Sequence, residues 1–537
     1  MGAAMPWASG IAISGSKITA VFSNDAEVAT HTGTHTQMVD LKGRFVLPGF
    51  IDSHVHLAYA GALLNGANLL TVSDDTALRE ELRRVADILE PGEWITGGMW
   101  GAYEQWQMGT AVADGKRKSR WKPSRKKIDD VTPKNPVFIR SYNGDLYLAN
   151  KLALQIAGLR SLTGRFRRKS PAIRELQRAI KPKSERRRLD ELRAALKELR
   201  ESGIVEVHDI TSDENMKLYV KLQEAGELTA RIWMRPDLSR AEEFKQKGIR
   251  INTHPITGKP DSFLRWGAFK GYIDGIMGNY TALFFEPYSD QPDNYGRYRR
   301  HTSDDPYLKH PNMEKIYSYL LMAQEAGFPA NVHAIGDKGV ALMLDAYERL
   351  MQHSGQNLRG YRIIHGQVVR PQDFPRFRRL GVIAEVNPYH LSDDMRWMEG
   401  RIGHERCRGA YAFRSFLDNG TELIFGSDWG GSPAADYQLH PRYLLHAAVN
   451  RTTIHGEPQD GWFPEQKISI AAVLKAYTIN AARATFDGKM RGSIGPGKLA
   501  DLAVLDQNPL EIGSHQILGI QVVMTIVDGK IVFQDEG

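Results

Sequence analysis

Cysteine is nearly absent: Cys407 stands alone among 537 residues. No intrachain disulfide can form, a thiolate-rich metal site is excluded, and this usage suits a reducing cytoplasm. A metal here would need histidine, carboxylate or a less usual ligand. Long apolar runs are also missing, and none approaches the roughly 20 residues needed to cross a bilayer. The opening MGAAMPWASGIAISGSK has no basic start followed by a continuous apolar core, so a secretory leader is not expected. There is no internal repeat and no low-complexity tract. These absences lead us to expect a cytoplasmic protein with no membrane partner.

What is present fits that expectation. Hydrophobic residues make up 42% and charged residues 25%, the composition of a soluble globular protein. The length allows one large α/β domain with an appendage, or two or three ordinary domains. The net charge is +7, with the excess in KRKSRWKPSRKK (116–127), RFRRK (165–169) and KPKSERRR (181–188). None of these patches carries a nucleic-acid recognition motif, and the third opens an amphipathic helix. They read as solvated faces that could steer anionic substrates, and no nucleic-acid partner is expected.

Both ends of the chain are β-rich. GIAISG, KITAVFS and MVDLKGRFVLP open it, and GKLADLAVLD and QVVMTIVDGKIVFQ close it, the last with an Asp-Gly hairpin turn. One small β-sandwich built from residues 1–47 and 488–537 is the economical arrangement, with residues 48–487 inserted between. In that middle, strand-like runs alternate with helices. SERRRLDELRAALKELRESG places Leu189, Leu192, Leu196 and Leu199 on one helical face and Gly203 at the C-cap. Eight strands are counted, from 45–51 through IVEVHDI, ELTARIWMRP, WGAFKGYIDG, FPANVHAIGD, YRIIHGQV and GVIAEVNP to ELIFGSDWG. Strand–helix alternation implies a parallel sheet, and eight units imply a (β/α)8 TIM-like barrel. Residues 58–185 read as a large insertion after strand one, covering the barrel mouth.

Polar residues gather at the strand ends, where such a barrel does its chemistry. LPGFIDSHVHLAYAG puts His54 and His56 one residue apart, so that in a strand both imidazoles project to one side, as metal ligands would. Lys270 lies inside the otherwise apolar run of strand four, and His333, His365 and Asp428 fall at the ends of later strands. Each has a plainer reading: a satisfied core histidine, a snorkelling lysine, an aspartate capping a turn. Together they would need to coincide at one edge by chance. Lys270 is the informative member, because a buried ammonium among cation ligands is costly. If its amine captures CO2, the resulting carbamate is an anionic ligand able to bridge two metal ions.

These residues resemble the amidohydrolase superfamily, nearest to the branch of YtcJ-like proteins and N-substituted formamide deformylases. PGFIDSHVH, WGAFKGYIDGIMGNYTALFFEPY, NVHAIGDKGVALMLDAYE, IIHGQV, FGSDWGGSP, AYTINAARA and GSIGPGKLADLAVLD are similar to that branch's blocks, in order. The resemblance implies a metal-dependent hydrolase of a non-peptide C–N bond, an amide or formamide. It implies that His54, His56 and Asp428 hold one zinc ion, that His333 and His365 hold a second, and that carbamylated Lys270 bridges them. Metal-activated hydroxide would attack the carbonyl, and Asp428 would serve as general base and then acid. An ester, lactone or phosphoester hydrolase on the same centre is the alternative, as is a catalytically silent scaffold. A small-molecule substrate is expected, and a homodimer is compatible with the sequence.

Two departures from the branch stand out. The branch usually opens with an extra strand before the first segment seen here, so a trimmed β domain is expected. YNGDLYLANKLAL carries Asp145 where the branch has a histidine expected to face the substrate. Trp100, in GGMWGAYEQW, and Asp145 are therefore the candidate substrate-binding residues. Trp100 would offer an apolar wall, and Asp145 an acceptor that disfavours carboxylates. The plainer reading packs Trp100 in the insertion's own core and makes Asp145 a turn cap.

Overall fold

A computed structural model describes residues 7–69, 72–100, 121–141, 144–299, 313–355, 357–431 and 439–535. The chain divides into two compact units. One comprises Met1–Val55, Leu196–Asp428 and Leu439–Gly537; the other comprises His56–Ala195 and Trp429–Gln438.

The first unit is α/β. Strands β1 (Phe50–Val55), β2 (Ile204–Ile210), β3 (Arg231–Arg235) and β4 (Leu264–Trp266) form a parallel sheet in the order β4-β3-β2-β1. A second parallel sheet contains β5 (Phe269–Tyr272), β6 (Ala330–Ala334), β7 (Arg362–His365), β8 (Ile383–Val386) and β9 (Leu423–Phe425) in chain order. Hydrogen bonds stitch the sheets at both edges. Lys270 N donates to Pro236 O at 2.8 Å beyond β3, and Asp428 N donates to His54 O at 2.8 Å beside β1. Parallel strands buried on both faces usually read as continuous apolar runs. Here the alternation is apolar against charged: Ile232 and Met234 against Arg231 and Arg235 in β3, Val205 and Val207 against Glu206 and His208 in β2, all buried.

Two of the strands expected from sequence are each divided in the structure. The run at 45–51 breaks at Gly49. Phe45–Pro48 joins an antiparallel sheet with Leu502–Leu505, while β1 begins at Phe50 and pairs with β2. A Cβ at Gly49 would lie 2.2 Å from Val205 Cγ1, so the chain can change sheets there only without a side chain. WGAFKGYIDG breaks likewise: Trp266 ends β4, Lys270 lies in β5, and the two strands belong to different sheets.

The chain ends supply the remaining strands of this unit. Gly10–Ser14 pairs with Lys17–Phe22, and Phe45–Pro48, Leu502–Leu505, Val522–Val527 and Lys530–Gln534 form a four-stranded antiparallel sheet. Asp528 and Gly529, at φ of 55° and 76°, make the tight turn that Asp-Gly favours. Ile18, Ala500 and Leu502 are buried together between the two sheets.

The second unit has its own sheet of Ile95–Trp100, Val137–Ser141, Leu146–Ala149 and Arg165–Arg167. Helix Asp75–Ile88 is capped by Asp74, whose carboxylate accepts from Ala77 N, and it buries Leu78, Leu82 and Val85 against this sheet. Part of the basic run, residues 116–120, lies outside the described residues, as do 101–106 after Trp100 and 142–143 before Asp145. Among the described residues no helix is long and apolar enough to cross a membrane.

Candidate metal centre

The site starts from a bulge. Pairing of β1 with β2 shifts between Asp52 and Val55, so His54 leaves the regular alternation. Asp52 holds the bend: its Oδ1 accepts from His54 N at 3.0 Å and from Ser427 N at 2.9 Å, and its Oδ2 accepts from Tyr477 Oη at 3.1 Å. Gly426 lets the end of β9 lie against this turn, since a Cβ there would sit 2.5 Å from His54 Cβ.

His54 is buried, and its Nδ1 donates to Glu385 Oε1 at 2.7 Å. Burial alone would raise Glu385, but Arg235 and Arg362, each within 2.8 Å, hold it down at about 2. An ionised carboxylate can only accept, so the His54 proton is on Nδ1 and Nε2 carries the lone pair. His365, at the end of β7, has the same arrangement: Nδ1 lies 2.7 Å from Asn387 Oδ1, whose amide is fixed by donation to Gly426 O. His333, at the end of β6, differs. Its Nε2 lies 3.1 Å from Gly275 O, which leaves Nδ1 as the nitrogen that could take a metal. Burial is the main reason all three imidazoles stay neutral, with His365 pushed down to about 3. A metal requires that neutral state.

Asp428 follows β9 and lies 3.3 Å from His54 Nε2 through Oδ1. Ligand atoms of His54, His365 and Asp428 all fall within 4.8 Å of one another. The His333 ring centre is 4.6 Å from that of His365, and Lys270 Nζ is 3.5 Å from His54 Nε2. Burial, then the charge of Arg235, pushes the Lys270 amine well below the ordinary lysine range. His365 and Asp428 both adopt positive φ, at 71° and 56°. Non-glycine residues in that region are uncommon and cluster at functional sites.

The structure thus brings together His54, Lys270, His333, His365 and Asp428. His56 lies one residue beyond β1, at the N-terminus of helix Leu57–Leu64, and opens the second unit. The bulge removes the simple argument that His54 and His56 share a strand face. In that second unit Trp100 is 5% exposed and packs with Leu78, Leu82, Ile128, Val137 and Ile139, the surroundings of a core residue. Asp145 is exposed in the turn between two strands, where its carbonyl accepts from Arg168 N.

Five participants escaped the sequence reading: Arg235, Arg362, Glu385, Asn387 and His390, whose Nε2 lies 3.7 Å from Asp428 Oδ2. The signal for Glu385 was a carboxylate inside the apolar run VIAEV of a strand expected to be buried. For Asn387 and His390 it was the polar pair in VNPYH just past that strand's end, the same edge where the candidate ligands of the neighbouring strands lie.

Comparison with known proteins follows the same lines. The amidohydrolase family matches residues 37–533. Protein LONG AFTER FAR-RED 3 of Arabidopsis thaliana is 32% identical, over 98% of this chain and 88% of its own length. N-substituted formamide deformylase of Arthrobacter pascens is 25% identical, over 99% and 96%. The crystal structure of an uncharacterized metal-dependent hydrolase from Pyrococcus furiosus superposes with a TM-score of 0.72 at 24% identity, covering 94% of this chain and 96% of that one, a likeness of fold. With a family match over residues 37–533, which takes in every strand of the candidate centre, this chain belongs to the amidohydrolase family.

Proposed function

We propose that the chain is a metal-dependent hydrolase of a non-peptide C–N bond, an amide or formamide, with Asp428 as proton carrier. The observation that carries this reading is the orientation of the imidazoles. His54 and His365 commit Nδ1 to fixed acceptors, which leaves neutral Nε2 atoms as ligands beside a carboxylate. That donor set fits divalent metal of the zinc type. His54, His56 and Asp428 would hold one ion, His333 and His365 a second, and a carbamate on neutral Lys270 would link them. Such ions supply Lewis acidity and make water reactive near neutral pH.

The chain's own groups do the rest. Asp428 takes a proton from the attacking water at its carboxylate and returns it to the leaving nitrogen. Glu385 fixes the His54 tautomer, and burial keeps bulk water from the proton path. We assign the two parallel sheets, stitched at both edges, to one (β/α)8 barrel, and the terminal sheets to a β-sandwich built from both ends. Protein purified without chelator should hold about two divalent ions per chain and hydrolyse members of a formamide and amide panel. Full activity after exhaustive chelation overturns the mechanism, and turnover of aryl esters alone overturns the bond assignment.

A further inference from the structure

We infer that Arg299 reads the substrate, and that the substrate is an amide carrying a carboxylate a few bonds from its scissile carbonyl. This inference rests on the hydrolase reading above and names its substrate class.

Arg299 is anchored to the strand that bears Lys270. Its N–H donates to Ile273 O at 2.9 Å, and the preceding Tyr298 bridges Asp274 just past the end of β5. Its guanidinium lies over the Tyr272 ring, 4.1 Å from the centroid. The same ring lies 4.9 Å from Lys270 Nζ and 5.6 Å from the His333 ring. One aromatic ring therefore separates a half-buried cation from the candidate metal ligands.

The cations deeper in this unit are committed: Arg235 and Arg362 both bind Glu385, and Arg231 binds Asp501. Among the described residues nothing accepts a hydrogen bond from the Arg299 guanidinium. Asp237 is close enough to feel its charge, but among the described residues no ion pair joins the two, and Asp237 Oδ1 accepts from the Ser239 N–H and hydroxyl at 2.9 and 2.5 Å. An arginine stacked on an aromatic ring keeps its planar fork of donors free at the edge, and that fork matches a carboxylate. Its aliphatic stem and ring contact fix the fork in place, which reduces the entropy lost on binding. A single guanidinium suits one carboxylate better than a phosphate, which tends to recruit several donors. The basic net charge would bring such a substrate in. Arg299 reverses the preference expected from Asp145, because it is anchored just past the end of the strand that bears Lys270.

The test compares 3-phenylpropanoate with 3-phenylpropanamide by calorimetry on the zinc-loaded protein, in wild type, Arg299→Leu and Arg299→Lys. We expect the carboxylate to bind at least tenfold more tightly than the amide in wild type. Arg299→Leu should abolish most of that preference, and Arg299→Lys should retain part of it, with metal content and Tm unchanged in both. A preference that survives in Arg299→Leu shows that the metals alone read the anion and overturns the inference, as does an absence of preference in wild type. A turnover arm uses N-benzoylglycine and N-benzoylglycinamide. Arg299-dependent anion binding without turnover of either would sink the hydrolase reading while leaving the anion site standing.

Discussion

Glu385 accepts from His54, Arg235 and Arg362 while wholly buried, so one carboxylate both neutralises two guanidinium groups and orients a metal-ligand candidate. Glu385→Gln keeps the volume and removes the charge. Breaking a buried ion pair from one side costs about 3–5 kcal/mol, and losing an outer partner of a ligating histidine costs about 10–100-fold in metal affinity. Both losses should appear, in denaturant unfolding and in metal titration respectively; a variant that keeps wild-type zinc affinity would show that Glu385 only balances charge. A second pair of variants separates bridge from base. Lys270→Ala should lose activity and at least one metal, with partial rescue by acetate. Asp428→Asn should hold more metal than Lys270→Ala yet be nearly inactive, because an amide cannot take the proton. Normal turnover by a Lys270→Ala protein that holds both ions would end the carbamate idea. The candidate ligands stand out in the sequence because each is a polar residue within or at the end of an apolar run. Glu385 was not legible, since its meaning depends on arginines brought to it from two other strands.

At the scale of elements, the sequence gives the existence of strands more readily than their ends. Both divided strands break where a glycine allows the chain to move from one sheet to another, Gly49 by close approach to Val205 and Gly267 by a Cβ position 2.4 Å from Trp233 Cδ2. Hydrophobic patterning alone joins such runs, because it carries no record of which neighbour each half pairs with. The His54 bulge has the same origin: it is set by Asp52 hydrogen bonds to Ser427 and Tyr477, hundreds of residues away. Trp100 makes a measurable case. From the sequence it serves equally as a substrate wall or as core, and the structure surrounds it with apolar side chains of its own unit. Trp100→Ala should therefore destabilise that unit by about 3–5 kcal/mol, the usual cost of truncating a buried tryptophan. Limited proteolysis and thermal unfolding will show this; a selective rise in KM for bulky substrates with an unchanged Tm would restore the substrate role.

At the scale of the whole chain, the question is why both β-rich ends are tied to the strands of the candidate metal centre. Arg231 in β3 answers part of it. Its Nε and Nη2 donate to the two oxygens of Asp501 at 2.9 Å, and Nη2 also reaches Asp528 at 2.9 Å in the last hairpin turn. Asp501 in turn accepts from Asp528 N at 2.9 Å, and its carbonyl accepts from Gly49 N at 2.9 Å, where the chain crosses into β1. The Asp of GKLADL thus links the closing sheet to the start of the strand that bears His54. Arg231→Leu would leave Asp501 buried without its counter-ion, at about 3–5 kcal/mol. The loss should fall unevenly, because β6, β7 and β8 pair with one another and make no use of Arg231. Hydrogen exchange on the metal-loaded variant should show Leu502–Leu505 and Val522–Val527 opening well before Ala330–Ala334 and Arg362–His365. Binding of metal to the folded state alone stabilises by about 2.7 kcal/mol at a hundredfold excess over Kd. Added zinc should therefore slow exchange in β6 and β7 more than in the terminal sheet. If zinc protects both sets equally in the variant, the terminal sheet is coupled to β6 and β7 by some route other than Arg231.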